Sequence, residues 1–268
     1  MAAQRKFLIT AVACVAATVA LAGCGGSDDG GKAKSSDGKG SSSSKRTAAS
    51  TPDKAADALA GLSAEEIAKK AYSATKGAGT ALANGTEVTD GDTTKMAISV
   101  TNGGGGQCTG TMYSPKGAPA EIVGIGKATY MKGSDAFWTE MGGGEDGGAM
   151  LKMLKGKWMK TGADSSGDED DFCSLASLLS HLKVNETAGV TKGADAEVDG
   201  KKAVTLVKKS GAETRTYYVA AEGQPYFLKV ETKGGKEPNS YTLTDFGKPV
   251  TATLPPASQV VDLDKLAG

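Results

Sequence analysis

The pattern of apolar and polar positions divides the chain into four parts. An uncharged apolar run covers residues 7–22, and residues 25–52 contain no aromatic side chain and no aliphatic side chain larger than alanine. Helical spacing follows at residues 63–76. Strand-like alternation then dominates from residue 96 onward, with a helical interruption at residues 149–182. The pattern predicts a leader, a linker and one domain that contains both helices and strands.

The domain is predicted to open with an amphipathic helix. Ser63 and Glu66 form a capping box, and Ile67 and Ala71 follow at helical spacing. Gly77 is expected to end this helix, because glycine is the residue most often found just past a helix C-terminus. The sequence beyond it changes to short alternating segments.

Alternation beyond the first helix predicts a meander of about nine or ten short antiparallel strands. Asp199-Gly200 is a strong signal for a type I′ turn between two of them. In the strand that starts at Tyr226, alternate positions place Tyr226, Leu228 and Val230 on one buried face. The predicted strands are residues 96–101, 108–113, 121–125, 127–132, 193–198, 201–209, 213–220, 226–233 and 240–246.

Two more helices are predicted in the middle of the domain, at residues 149–155 and 172–182, because leucine and methionine recur there at helical spacing. An antiparallel sheet with one apolar face must bury that face against such helices. We therefore predict an α+β fold, a curved antiparallel sheet or incomplete β-barrel wrapped around a few short helices. A signal peptide and a disordered tether are expected to precede it.

Residues 1–23 are predicted to be a lipoprotein signal peptide. Arg5 and Lys6 precede an apolar run that is shorter than the roughly 20 residues needed to span a bilayer. The run ends in Leu21-Ala22-Gly23-Cys24, which resembles the lipobox of bacterial lipoproteins. The alternative is an ordinary secretory signal with a chance cysteine. We expect cleavage before Cys24, a diacylglycerol and palmitate anchor on it, and a location on the outer face of the bacterial cytoplasmic membrane.

Residues 24–54 are expected to form the lipid-anchored cysteine and a disordered Gly/Ser/Lys linker, since this composition cannot bury a core. The lysines of the linker could contact anionic headgroups, but solvated linker residues are the simpler explanation. Residues 55–268 then form one domain of ordinary size.

The four cysteines fall into two groups. Cys14 is removed with the signal peptide and Cys24 is the acylation site, which leaves Cys108 and Cys173 in an oxidising compartment. We predict a disulfide between these two residues. The competing interpretation, a redox or metal site, lacks CxxC spacing and nearby ligands.

Charge and candidate chemistry point to binding rather than catalysis. Basic and acidic residues balance at 31 each, so nucleic acid is not an expected partner. His181 is the only histidine and is more simply explained as a residue on a helix face. The acidic run at residues 164–171 could collect Ca²⁺, but it lacks EF-hand spacing and better fits a solvated loop before a helix. We predict no catalytic residue, no metal and no cofactor.

Two late segments carry a family resemblance. They are EGQPYFLKVE at residues 222–231 and YTLTDFGKPV at residues 241–250, followed by Leu254-Pro255-Pro256. Together with the lipobox, the tether and the order of elements, they resemble the LppX/LprG lipoproteins and the wider LolA-like group. The resemblance implies an incomplete β-barrel around a hydrophobic cavity and, for some members, the binding or transport of lipids.

The face pattern of the predicted elements supplies the cavity candidates, and methionines and tryptophans concentrate around the helical insert. The leading hypothesis is an anchored lipoprotein that holds a lipid or another hydrophobic molecule. The alternative is an envelope sensor or protein-interaction module with a closed core, whose partner the sequence does not identify. The predicted cavity residues are Met96, Ile98, Val100, Met150, Leu154, Leu178, Tyr226, Leu228 and Val230.

Overall fold

The computed structural model describes residues 59–102, 106–142, 144–161 and 173–265, apart from the side chains of residues 144–147, 150 and 264. All of them belong to one compact unit, Ala49–Gly268. Within this part of the chain, 13 strands form one open, curved and almost entirely antiparallel sheet with a few short helices. The predicted fold class is confirmed.

The described elements alternate as the sequence pattern predicts, with strands on both sides of a helical insert. The helices are α1 (Ala64–Gly77), α2 (Asp135–Met141), α3 (Gly144–Leu154) and α4 (Leu175–His181). The strands are β1 (Thr80–Thr89), β2 (Asp92–Thr101), β3 (Gln107–Tyr113), β4 (Pro119–Ile125), β5 (Ala128–Gly133), β6 (Trp158–Thr161), β7 (Thr191–Lys192), β8 (Ala196–Val198), β9 (Lys201–Ser210), β10 (Glu213–Ala220), β11 (Phe227–Lys233), β12 (Asn239–Thr244) and β13 (Val260–Asp262).

The sheet consists of two meanders joined side by side. Its strand order is β13-β6-β5-β4-β3-β2-β1-β12-β11-β10-β9-β7, and β8 also pairs with β9. Strand β12 returns to pair with β1, with Leu82 opposite Thr244. The pair β13–β6 is parallel. The junction of β1 and β12 makes one continuous face from the first meander to the second.

Helices α1 and α4 cover that face, which we call the inner face. Ile67 and Ala71 from α1, and Leu175 and Leu179 from α4, are at most 1% exposed. They pack with alternate residues of the strands into the largest buried cluster, which we call the main core. A smaller cluster, the second core, lies beside α2 and α3 and consists of Ala118, Ala120, Phe137, Trp138 and Leu154.

The capping box of α1 is confirmed. The backbone N–H of Ser63 donates to Glu66 Oε2 at 2.7 Å, and the backbone N–H of Glu66 donates to Ser63 Oγ at 3.3 Å. The hydrogen bond from the Ser63 backbone lowers the pKa of the Glu66 carboxyl below its ordinary value. The helix therefore begins where the sequence predicts, since both orphan donors are satisfied there.

The predicted type I′ turn is confirmed as well. Asp199 and Gly200 both have positive φ, at 48° and 76°. Val198 pairs directly with Lys201, so the turn closes a two-residue hairpin between β8 and β9.

Several elements were not predicted from the sequence. The inward positions of β1 are the small residues Ala81, Ala83 and Gly85, so the strand shows no strong hydrophobic alternation. Strands β6 and β13 contain four and three residues, and α2 contains seven, too few for a periodic pattern. Of the predicted strand 193–198 only Ala196–Val198 forms a strand, β8; the separate short strand β7 precedes it, and both pair with β9.

The prediction that Leu228 shares one buried face with Tyr226 and Val230 is wrong, because β11 contains a β-bulge. Tyr218 pairs with Lys229 but Val219 pairs with Phe227, so Leu228 is the extra residue. Phe227 and Val230 are buried in the main core. Leu228 instead lies in a third, small cluster with Val198, Ala203 and Ala220.

The predicted disulfide between Cys108 and Cys173 is present and joins β3 to the start of α4. Gly124 on β4 pairs directly with Cys108. A Cβ atom on Gly124 would overlap Cys173 Sγ and would lie 2.9 Å from Cys108 Sγ. The disulfide therefore lies directly against the backbone of Gly124, where there is no room for a side chain.

Replacement of Gly124 by alanine is expected to lower the free energy of unfolding by about 1–3 kcal/mol, since the added methyl group overpacks the disulfide. Gly148→Ala is the matched control, because a Cβ atom there has no neighbour within 4 Å. Urea denaturation of the oxidised proteins measures both. A Gly124→Ala variant as stable as the Gly148→Ala variant would contradict this packing.

Candidate functional site

Five partly exposed methionines lie where the two cores meet, four on the inner face of the sheet and one, Met153, on α3. Met112 and Met131 pack against both cores. Met96 packs against the main core, and Met153 and Met159 pack against the second core. We call these five residues the methionine seam. The seam is the largest group of partly exposed methionines in the described part of the chain.

Strand register brings four of these methionines to the same face. Met96 pairs directly with Met112, and Met131 pairs directly with Met159. Directly paired residues of antiparallel strands point to one side, with Cβ atoms about 5 Å apart. The intervening strand β4 contributes Ala120 opposite Met112. Ala120 is 1% exposed, so the middle of the seam is closed by its neighbours.

Two aromatic residues of α2 belong to the core against which the seam packs. Ser134 caps α2 by accepting a hydrogen bond from the backbone N–H of Phe137 at 3.2 Å. Phe137 and Trp138 are each 1% exposed and pack edge to face, with ring centroids 5.1 Å apart. A Cβ atom on Gly133 would lie 2.8 Å from Trp138 Cε2. The ring pair therefore rests directly on the backbone of β5.

The seam is suited to contact with apolar molecules. A methionine side chain is unbranched and polarisable, so it adapts to surfaces of different shape. Partly exposed methionines still have apolar area to remove from water, whereas the fully buried residues beside them do not. The seam therefore presents apolar area that contact with a hydrophobic molecule would remove from water.

The structure brings most of the predicted cavity residues together, but as packed core. Ile98, Val100, Leu178 and Val230 lie in the main core, with exposures of 2%, 0%, 9% and 0%, and Met96 lies at its margin. They belong to the packed core between the sheet and the covering helices, beside the seam, rather than to an open cavity.

The other predicted cavity residues lie elsewhere. Leu154 is buried in the second core. Leu228 is in the third cluster, and Tyr226 stacks on Phe246 with ring centroids 4.2 Å apart. The side chain of Met150 lies outside the described residues.

Met112 and Met131, the two residues that contact both cores, were not among the predicted cavity residues. The strands that carry them, β3 and β5, mix glycine and threonine with their apolar residues, so the alternation is weak. The spacing of Met131 and Gly133 was an available signal, because residues two positions apart on a strand point to the same face. In the structure Phe137 and Trp138 pack on Gly133, so this face of β5 is the covered one.

A polar cluster fastens the end of α4 to the sheet. His181 Nε2 lies 3.3 Å from Glu87 Oε2, and the Tyr241 hydroxyl donates to the same oxygen at 2.9 Å. The contact with Glu87 raises the pKa of His181 above its ordinary value, although partial burial opposes this. The same contact with His181 lowers the pKa of Glu87. Burial, with the nearby Glu87 charge, raises the pKa of Tyr241.

The effect of His181 on stability is expected to depend on pH. Because its pKa is raised on folding, the contact stabilises fully below the unfolded value near 6.5 and the contribution is lost as pH rises through the folded pKa. Glu87, whose pKa is lowered, loses its contribution when pH falls below about 4.5. His181→Ala should thus cost more stability at pH 5.5 than at pH 8.5.

The size of this effect is limited by solvent, since the His181 side chain is 53% exposed. We expect a difference on the order of 0.5 kcal/mol between the two pH values. Lys183 opposes protonation of His181 and Glu237 favours it, so the comparison should be made at constant salt. Urea denaturation at both pH values is the measurement. An equal cost at pH 5.5 and 8.5 would mean that the ion pair contributes nothing.

Other candidate sites receive no support from the described structure. The acidic run at residues 164–171 lies outside the described residues. Among the residues that are described, no three His, Cys, Asp or Glu side chains come together in a group that could hold a metal ion. None of the helices in this part of the chain combines the length and apolar character that crossing a membrane requires.

Comparison with known proteins gives similarity in solved structures only. No protein-family model matches the sequence, and no curated protein matches it. The structure is similar to that of LprF from Mycobacterium bovis, with a TM-score of 0.49 and 17% identity over 72% of this chain and 96% of that one. It is also similar to the lipoprotein LppX from Mycobacterium tuberculosis, with a TM-score of 0.48 and 11% identity over 70% of this chain and 97% of that one.

A third similar structure is a putative outer membrane lipoprotein-sorting protein domain from Vibrio parahaemolyticus. Its TM-score is 0.27, with 10% identity over 70% of this chain and 94% of that one. LppX and a lipoprotein-sorting domain, the two groups that the sequence resembles, are thus both among the structures to which this chain is similar.

Proposed function

We propose that this chain is an extracytoplasmic lipoprotein that binds a lipid or another hydrophobic molecule along the methionine seam. The observation that carries the proposal is the junction of the two cores, where Met112 and Met131 contact both and remain partly exposed. The proposed role is binding, and through it the transport of lipid between membrane and envelope, rather than catalysis.

The driving force would be burial of apolar surface. Each methylene group removed from water contributes roughly 0.8 kcal/mol, so an acyl chain laid along the seam gains affinity with its length. The packed core beside the seam, which includes Ile98, keeps the inner face rigid next to the adaptable methionines. A rigid core beside an adaptable surface suits chains of different length.

The anchor is the second part of the proposal. Residues 1–23 would be removed as a signal peptide, and Cys24 would carry the diacylglycerol and palmitate that hold the protein to the outer face of the cytoplasmic membrane. Residues 24–54 would then link the anchor to the domain at residues 55–268. Two acyl chains suffice for stable attachment, whereas one chain binds only marginally.

Metabolic labelling with an alkyne analogue of palmitate tests the anchor. We expect the chain to be labelled in bacteria, the Cys24→Ala variant to lose the label, and the Cys14→Ala variant to keep it. Cys14 is the matched control, because it lies within the apolar run that precedes the cleavage site and not at the site itself. Label that persists in Cys24→Ala would remove the proposed anchor.

The alternative function is an envelope sensor or protein-interaction module. Its supporting observation is that Ile98, Val100 and Val230, predicted as cavity residues, are no more than 2% exposed. A core filled in this way needs no ligand. The protein partner of such a module would bind the outside of the domain.

Native mass spectrometry distinguishes the two functions. The mature chain, residues 24–268 with Cys24→Ala, is exported to an oxidising compartment, purified without detergent and extracted for lipids. A hydrophobic molecule at near-stoichiometric amount is the expected result. A bare, folded chain that also takes up no added phospholipid would overturn lipid binding and favour the interaction module.

A further inference from the structure

One buried donor beside the methionine seam has no acceptor among the residues that the structure describes. The indole Nε1 of Trp138 is buried and makes no hydrogen bond to any of the described residues, and the side chain as a whole is 1% exposed. Buried tryptophan N–H groups usually find an acceptor, because water is no longer available to them. The indole can only donate, so only a hydrogen-bond acceptor can satisfy it.

The unpartnered N–H lies at the inner face next to the seam. Trp138 Cε2, the ring carbon bonded to Nε1, is 2.8 Å from the position of a Cβ atom on Gly133. Gly133 pairs with Ala120, and Ala120 pairs with Met112. Met131 lies two residues before Gly133 on the same strand and the same face. The ring that carries this nitrogen therefore belongs to the cluster against which both Met112 and Met131 pack.

The surroundings of Trp138 can open without disruption of the main core. The second core, to which Trp138 belongs, is covered in part by Met112, Met131, Met153 and Met159, all of which are partly exposed. Methionine changes rotamer at low cost, so these side chains can part to admit a ligand. The aromatic ring itself is held in place by Phe137 and by the backbone of β5.

We propose that the hydrophobic molecule bound on the seam carries a carbonyl oxygen, as an acyl ester does, and that Trp138 Nε1 donates a hydrogen bond to it. This inference rests on the proposed function and adds a chemical class to it. The methionines contact the hydrocarbon part of the ligand, and Trp138 fixes the position of its polar part. Molecules of equal apolar area are thereby distinguished by whether they present a carbonyl acceptor.

NMR of the indole groups tests the proposal directly. The chain has two tryptophans, so ¹⁵N-labelled tryptophan gives two indole resonances, and Trp158→Phe assigns them. The mature chain with Cys24→Ala is titrated with dipalmitoyl phosphatidylcholine and with its ether-linked analogue, which lacks both carbonyl oxygens. We expect the ester lipid to move the Trp138 N–H proton downfield and to bind about 3- to 10-fold more tightly than the ether lipid.

Variants separate this inference from the proposed function. Trp138→Phe should remove the preference for the ester lipid, whereas Trp158→Phe should keep it. Equal binding of the two lipids without a downfield shift would overturn the role of Trp138 and leave lipid binding intact. Binding of neither lipid would overturn both. If Trp138→Phe does not fold, the shift in the chain that retains Trp138 still decides between these outcomes.

Discussion

Replacement of both Cys108 and Cys173 by serine is expected to lower the free energy of unfolding by about 4 kcal/mol. The two cysteines are 65 residues apart in sequence, and a cross-link over a loop of that length removes much of the entropy of the unfolded chain. Urea denaturation of the oxidised protein and of the double variant measures the difference.

Reduction of the unchanged protein is the control for this prediction. If the cross-link is responsible, a reducing agent should lower stability by a similar amount and should leave the double variant unaffected. Unfolding of the variant at the same urea concentration as the oxidised protein would show that the disulfide does not stabilise the domain.

The disulfide also has a positional role. It fixes Cys173, two residues before α4, to β3, and α4 inserts Leu178 and Leu179 into the main core. At the other end of the helix, His181 contacts Glu87 of β1. Loss of the disulfide should thus loosen α4 from its start, while its last turn keeps one polar contact with the sheet.

Met131→Lys is expected to weaken the binding of a hydrophobic ligand by about tenfold or more, because a charge would be brought against hydrocarbon. Met131 is the residue of choice, since it contacts both cores and is partly exposed. A lysine at such a position can fold by extending its ammonium group to water. Fluorescence titration with a dye-labelled fatty acid measures the affinity.

Two matched variants accompany this test. Met141→Lys introduces the same charge at a methionine that is 55% exposed, and it should bind as the unchanged protein does. Met131→Leu keeps the apolar character and should retain most of the affinity. Equal affinities of Met131→Lys and Met141→Lys would place the binding site away from the seam.

The parts of the fold that the sequence predicted are those set by local or covalent rules. The capping box at Ser63 and the turn at Asp199-Gly200 each depend on a few adjacent residues. The pairing of Cys108 with Cys173 followed from counting the cysteines that remain after export. None of these inferences requires knowledge of which strands are neighbours.

The parts that could not be predicted depend on partners distant in sequence. The bulge at Leu228 arises from the pairing of β10 with β11, and strict alternation cannot anticipate an extra residue. Strand β1 was missed because its inward residues are small, and one of them, Gly85, lies beneath Tyr241 of β12. Such complementarity appears only when the two strands are placed side by side.

The candidate site shows the same division. Helical spacing placed Leu154 and Leu178 correctly on buried helix faces. A buried residue lines a ligand site or fills a core depending on which residues pack over it. The hydrophobic pattern of a single segment carries no information about those residues. Met112 and Met131 come together with the second core only through the register of β3, β4 and β5.

Methyl NMR of methionine tests the central claim most directly. The mature chain with Cys24→Ala is labelled at the methionine methyl carbons, its resonances are assigned by single Met→Leu variants, and phospholipid is added to saturation. The account predicts shifts for Met112 and Met131, with smaller shifts for the other seam methionines and none for the exposed Met141. Saturation that leaves the Met112 and Met131 resonances unmoved would contradict ligand binding at the seam.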